Sequence, residues 1–153
     1  MKKNKEMMLL SCLRNNSRET LTNMSKKTNI PISTIFDKLK EYEKKLISKH
    51  TSLIDFKKLG YDIKIHIMLK VNRECRQRFE KFLGNAQSVN TVYRINNKFD
   101  YFLEGIFKDI CSYQKFADQL EDYGVTEMHE HFVIDELKKE EFLTNFSVFQ
   151  QLP

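Results

Sequence analysis

Between residues 26 and 50 the chain sets Lys26, Lys27, Lys38, Lys40, Lys49 and His50 around the short polar side chains Ser33, Thr34 and Asp37. Ammonium groups neutralise phosphate and release its counterions, whereas short hydroxyls and carboxylates form directional hydrogen bonds; together they suit a polyanion with readable edges. A second group of candidates is imidazole. His66 lies in one segment of alternating hydropathy and the pair His129 and His131 in another. If those segments are neighbours the three rings share one face, a candidate site for zinc, nickel or copper, with solvated or interface histidines as the competing reading. The sequence holds no glycine-rich phosphate loop, no HExxH, no nucleophile elbow and no Cys/His pair in a catalytic context, which predicts a protein that is not an enzyme and requires no cofactor. Cys12, Cys75 and Cys111 are too scattered for a zinc site or a disulfide framework and read as reduced thiols.

The charge is divided along the chain. The net +5 conceals 14 Lys/Arg against 6 Asp/Glu in residues 1–60 and 12 against 15 in residues 61–153. A positive half joined to a mildly acidic one suggests that the first meets a polyanion and the second meets protein or small molecules. Twelve Phe and six Tyr within 41% hydrophobic content are enough to build a core. The basic start MKKNKEMMLL has too short an apolar run for a signal peptide, and no stretch reaches transmembrane length, so a cytoplasmic protein without a membrane partner is expected.

Helical periodicity predicts three helices before residue 60. The first, from about Lys5 to Asn15, buries Leu9, Cys12 and Leu13; the second, about 20–28, turns Leu21 and Met24 inward with Thr20 or Thr22 as cap. Asn29 then fits a tight left-handed turn, and Pro31 suits the start of a third helix, about Ile32 to Lys45. Its apolar stripe is Ile32, Ile35, Leu39, Tyr42 and Leu46, which leaves Ser33, Thr34, Asp37 and Lys40 on the opposite face and Lys38 at its margin. Two short helices across a tight turn, with the second polar and basic outside, can place a helix in the major groove of duplex DNA. A plain three-helix bundle with a solvated lysine face is the alternative. Residues 47–54 (ISKHTSLI) read as a small hairpin, or wing, with Lys49 and His50 near its tip.

After Gly60 the order reads β-α-β-β-α-β. Ile63, Ile65, Ile67, Leu69 and Val71 alternate with polar residues as a half-buried strand, and Cys75, Phe79, Phe82, Leu83 and Ala86 follow at helical spacing. Two strands flank the hairpin connection Asn96-Asn97-Lys98; Asp109 caps a helix carrying Ile110, Tyr113, Phe116, Ala117 and Leu120; Gly124 ends it, and a last strand follows. The expected fold class is α+β: a winged helix-turn-helix over 1–60, then a ferredoxin-like four-stranded antiparallel sheet with both helices on one face over 61–153. The uncovered face, with Met68, Val92 and Phe102 among its expected residues, predicts a homodimer. Glu136, Glu140 and Glu141 read as a solvated charged segment, and Phe142, Leu143, Phe146 and Phe149 as a packing stripe or dimer arm.

The segments NSRETLTNMSKKTNIPISTIFDKLKEYEKKLISKH, DFKKLGY, VYRINNKFDYFLEG and YGVTEMHEHFVIDELKK, in that order, make the chain similar to the Lrp/AsnC, or feast/famine, family of transcription regulators from about Asn4 to Phe142. The resemblance implies a sequence-specific regulator that binds double-stranded DNA through a winged helix-turn-helix. It also implies a RAM-type ferredoxin-like domain, dimers that often assemble into octamers, and frequently an amino-acid effector. By position it places Ser33, Thr34, Asp37 and Lys38 at the groove, and Lys26, Lys27, Lys40, Lys49 and His50 near phosphates. The effector pocket would be bordered by Asn97, Asp100, Tyr101, Met128 and Glu130. The family's usual glycine before Asp-Tyr is Asn97 here, and its small hydroxyl residues in the last strand are Met128 and Glu130, so an orphan regulator or a different ligand fits as well. An enzyme resembling sirohaem decarboxylases, which share the two-domain architecture, is the alternative that the histidines favour.

Overall fold

The computed structural model describes residues 3–145, with side chains from Asn4 onward, and the chain divides into two compact units, Met1–Ser52 with Leu137–Pro153 and Leu53–Glu136. The division therefore falls ahead of Gly60, and the segment after Glu136 belongs with the first unit instead of the second. Hydrogen bonding explains that membership. Arg14 donates to Glu140 Oε2 at 2.9 Å and to the Phe142 carbonyl at 3.0 Å, and buried Ser11 donates to the Thr144 carbonyl at 3.1 Å.

The first unit is built from α1 (Lys3–Asn15), α2 (Leu21–Thr28) and α3 (Ile32–Lys45). Leu9, Cys12, Met24, Ile30, Ile35 and Tyr42 form its core, with Leu13, Leu21 and Leu39 packed against them. Thr20 is the cap of α2, its hydroxyl accepting from the Asn23 N–H at 3.2 Å, and Pro31 stands just before α3. Two expected stripe residues lie at its edge: Ile32 and Leu46 are exposed. The wing is a correction. Residues 47–54 contain no strand, and all but Ile47 are exposed, so an eight-residue ribbon there would have no apolar face to bury against a partner. The expected stripe near the C-terminus is also revised. Glu140 and Leu143 have positive φ (51° and 63°), which breaks helical spacing, and Phe142 is exposed; Phe146 and Phe149 lie outside the described residues.

In the second unit a 3-10 turn, Phe56–Leu59, ends at Gly60, whose φ of 79° reverses the chain into β1 (Ile63–Val71), and a second 3-10 turn, Arg73–Cys75, follows that strand. Then come α4 (Arg76–Asn85), β2 (Val89–Arg94), β3 (Tyr101–Phe107), α5 (Ile110–Glu121) and β4 (Val125–Phe132). All pairings are antiparallel in the order β2-β3-β1-β4. One face of β1 and β3 (Ile65, Ile67, Leu69, Val71, Tyr101, Leu103, Phe107) joins Phe79 and Leu83 of α4 and Tyr113, Phe116, Ala117 and Leu120 of α5 in one core. Ile110 is the exception, exposed in the first turn beyond the Asp109 cap; that carboxylate accepts from the Ser112 N–H at 2.7 Å. Asn97 has φ 78°, as the hairpin requires.

Register fixes the opposite face. Lys64, His66, Met68 and Lys70 of β1 face the same way as Phe102, Glu104 and Ile106 of β3 and as Glu127, His129 and His131 of β4. Val92 does not belong there. The irregular pairing between Val89 and Thr91 sets Val92 opposite buried Leu103 and Tyr93 opposite Phe102, and a one-residue slip exchanges faces.

Candidate nucleic-acid interface

The turn between α2 and α3 is held from several directions. Asn29 takes φ 53° and donates its N–H to the Ser25 carbonyl at 2.8 Å, while the Ser25 hydroxyl donates to the Ile30 carbonyl at 2.6 Å. The Thr28 hydroxyl, buried, donates to the Met24 carbonyl at 2.7 Å. These bonds satisfy backbone groups that the break between helices leaves open, and fix the angle at which α3 leaves the turn. With Ile35 and Tyr42 buried, the opposite side of α3 exposes Ser33, Thr34, Phe36, Asp37 and Lys40.

The lysines named from the sequence fall into two kinds. Lys38 is half-buried and spans Glu41 at 2.8 Å and Glu6 at 3.5 Å; the hydrogen bond to Glu41 holds its ammonium above the usual lysine range. Lys27 lies 2.5 Å from Glu19, which likewise raises the ammonium and lowers the carboxyl. Each has a counter-charge within the unit. Lys26, Lys40 and Lys49 are exposed and have no ion pair among the described residues, and His50 is 3.9 Å from Glu43. Thus the geometry keeps Lys26, Lys40 and Lys49 available to an external anion and ties Lys38 and Lys27 into the fold.

One surface residue was missed by the sequence reasoning. Phe36 is 46% exposed with the Lys40 ammonium 4.3 Å above its ring, and Ile32, one turn earlier, is equally exposed. The signal was present: Phe36 lies beside the apolar stripe, too far round the helix to reach the core.

The residues bordering the expected effector pocket are largely engaged. Asp100 accepts from the Val71 N–H at 3.0 Å and from Arg76 at 2.5 Å, and the hydroxyl of buried Tyr101 donates to Glu80 at 2.7 Å. Burial first, then that hydrogen bond, pushes the Tyr101 phenol up to about 12. Met128 is half-buried against the core opposite Leu69, Glu130 is exposed opposite Ile67, and Asn97 is exposed at the hairpin.

His66, His129 and His131 do share the outer sheet face, His66 opposite His131 and Met68 opposite His129. They do not gather as ligands: among the described residues no group of three metal-ligating side chains converges. His66 lies 3.2 Å from Glu104 and His129 lies 3.4 Å from Glu127. Burial pushes the Glu104 carboxyl up, but hydrogen bonds from Asn90, Lys64 and His66 outweigh it and hold it below the usual range. No helix among the described residues is long and apolar enough to cross a membrane.

Known proteins resemble this chain in sequence and in fold. An uncharacterized HTH-type transcriptional regulator of Pyrococcus furiosus is 26% identical over 136 residues, covering 88% of this chain and 91% of that protein. A transcriptional regulator from Neisseria meningitidis, solved in complex with L-Met, superposes with a TM-score of 0.83 at 20% identity, covering 91% of this chain and 93% of its own. Escherichia coli AsnC superposes with a TM-score of 0.78 at 17% identity, covering 91% of this chain and 96% of its own. The family model of the Lrp/AsnC ligand binding domain matches residues 64–143, more than half of the sequence: the chain belongs to the Lrp/AsnC family of transcriptional regulators.

Proposed function

We propose that this protein binds duplex DNA sequence-specifically by laying α3 in the major groove, Ser33, Thr34 and Asp37 reading base edges and Lys26, Lys40 and Lys49 meeting phosphate. The observation that carries this reading is the pinned turn at Asn29 together with an α3 face that is polar, exposed and flanked by lysines lacking internal counter-ions. Phe36 and Ile32 add apolar surface of the kind that contacts a thymine methyl. Lys38 and Lys27 act in this scheme as internal ties, not as primary phosphate contacts; His50 lies at the periphery. Without a wing, residues 47–54 contribute to backbone contact only through exposed side chains such as Lys49.

A homodimer through the outer sheet face completes the scheme, because two recognition helices suit a pseudo-palindromic site. Support comes from Met68, Phe102, Tyr93 and Ile106, which leave an apolar patch on the sheet face opposite the one packed against α4 and α5. Higher assembly such as an octamer, and an amino-acid effector such as the L-Met held by the Neisseria relative, are extensions drawn from the family. The enzyme alternative finds less support: His66 and His129 are already engaged by Glu104 and Glu127, which are themselves paired with Lys64 and Lys98, and among the described residues the histidines do not gather into one site. Selection of bound fragments from sheared genomic DNA by the full-length protein tests the reading. One enriched, roughly symmetric motif is the expected result; binding to no duplex at low ionic strength overturns it.

A further inference from the structure

We propose that the cleft between α4 and α5 is a binding site for a small anion with a flat aromatic body, its charge a phosphate or a carboxylate. The cleft has a volume of about 730 Å³, inside the range typical of small-molecule sites. It is formed within the second unit, on the side of the helices away from the sheet's exposed face.

Its charge is one-signed. Arg78 and Lys81 from α4 and Lys115 from α5 line it, and no carboxylate does. None of the three has an ion pair among the described residues. Residues 61–153 carry an excess of acidic side chains, 15 Asp/Glu against 12 Lys/Arg, so a cleft with cations alone runs against the average of its own half. Three cations lining one cleft from two helices, none held in an ion pair among the described residues, repel one another, and a bound anion relieves that repulsion.

The wall is aromatic. Phe82 stacks on Tyr123 with centroids 4.2 Å apart at 22°, and Phe116 continues the ladder at 5.9 Å and 18°. Arg78 lies 4.9 Å over the Tyr123 ring, so a guanidinium borders the aromatic wall. Flat π surfaces with cations at their margin select a planar ring bearing an anionic group, which bare phosphate or an uncharged ring satisfies only in part. This inference does not depend on the DNA-binding reading.

The test is calorimetric titration of full-length protein with adenosine monophosphate, salicylate and inorganic phosphate. The expected result is binding of one or both aromatic anions at least about tenfold tighter than inorganic phosphate. Which of the two binds tighter distinguishes phosphate from carboxylate as the charged group. Lys81→Glu with Lys115→Glu, at two exposed positions, should leave the far-ultraviolet dichroism unchanged and weaken binding by about tenfold or more. Lys26→Glu with Lys40→Glu, in the other unit, should not. Saturation-transfer signals should reach the Phe82 and Tyr123 rings. Three results each overturn the proposal: no aromatic anion bound at millimolar concentration, equal affinity for inorganic phosphate, or binding lost with the Lys26 and Lys40 changes but kept with those at Lys81 and Lys115.

Discussion

If only the lysines without internal counter-charges meet phosphate, neutralising them should change the salt dependence of DNA binding far more than neutralising the paired ones. Lys26, Lys40 and Lys49 in each chain of a dimer give about six phosphate contacts, hence a slope of about −5 in log K against log salt. Affinity should then fall about a thousandfold between about 50 and about 200 mM salt. Lys26→Gln with Lys40→Gln removes four of those contacts; the slope should flatten to about −2 and the same salt interval cost only about tenfold. Lys27→Gln with Lys38→Gln removes as much formal charge, but from ammonium groups already satisfied by Glu19, Glu41 and Glu6, and should leave the slope within about half a unit of the parent. Fluorescence anisotropy of a labelled duplex taken from the selected fragments, repeated over a salt series, measures all three proteins. Equal flattening by the two double variants would refute the division of the lysines, and an unchanged slope for Lys26→Gln with Lys40→Gln would refute the placement of α3 in the groove.

Phe36→Ala should lower affinity by about 1–2 kcal/mol for sites with a thymine under the ring, and leave the salt slope alone, in the same anisotropy assay. Phe102→Glu puts a carboxylate in the middle of the outer sheet face, beside Met68 and Tyr93; light scattering should show a dimer for the parent and a monomer for the variant, and a variant that stays dimeric would place the interface elsewhere. Gly124→Ala should destabilise by about 1–3 kcal/mol in thermal melts, because Gly124 has φ 76° and an added Cβ would lie 2.6 Å from Cys75 Sγ. Tyr101 makes a pH prediction: its folded pKa of about 12 lies above the ordinary 10.0, so its contribution to stability is complete below 10.0 and is lost as pH rises towards 12. Phenolate absorbance should show a late phase to which Tyr42, also pushed up by burial, contributes, and Tyr101→Phe should diminish that phase.

What the sequence made legible were features governed by local periodicity. The α3 boundaries followed from Pro31 and the spacing of Ile35, Leu39 and Tyr42, and the left-handed Asn29 and Asn97 followed from the turns they occupy. Strict alternation in β1 identified its buried face because its register with β3 is regular. The same parity rule failed at Val92, since an irregularity earlier in β2 reverses every later side chain and no composition signal marks it. Lysine pairing was hidden in part: Lys38 and Glu41 form an i,i+3 pair within α3 that spacing allows, but the other two contacts do not follow from spacing. Glu6 and Lys38 lie on different helices, and Glu19 precedes the α2 cap while Lys27 sits near its end, so neither contact follows from a spacing rule for one helix. The cationic cleft needed α4 and α5 placed side by side before Arg78, Lys81 and Lys115 became neighbours.

The five positions at the expected effector pocket divide by what they are already doing. Asp100 binds the Val71 N–H and Arg76 together, which ties the β2-β3 hairpin to the end of β1 and the start of α4; Tyr101 ties the same hairpin to Glu80 one turn further along α4. An amino-acid zwitterion needs donors and acceptors that water alone holds in the free protein, because displacing an internal charged bond leaves its former partner unsatisfied. Asp100 and Tyr101 are therefore costly ligands here, and Met128 offers no hydrogen bond of strength. Asn97 and Glu130 are the two exposed members. An effector bound at this place would meet the Asn97 amide and the Glu130 carboxylate. That carboxylate favours the ammonium of a ligand and opposes its carboxylate, so recognition at this place should favour cationic or neutral molecules over zwitterions.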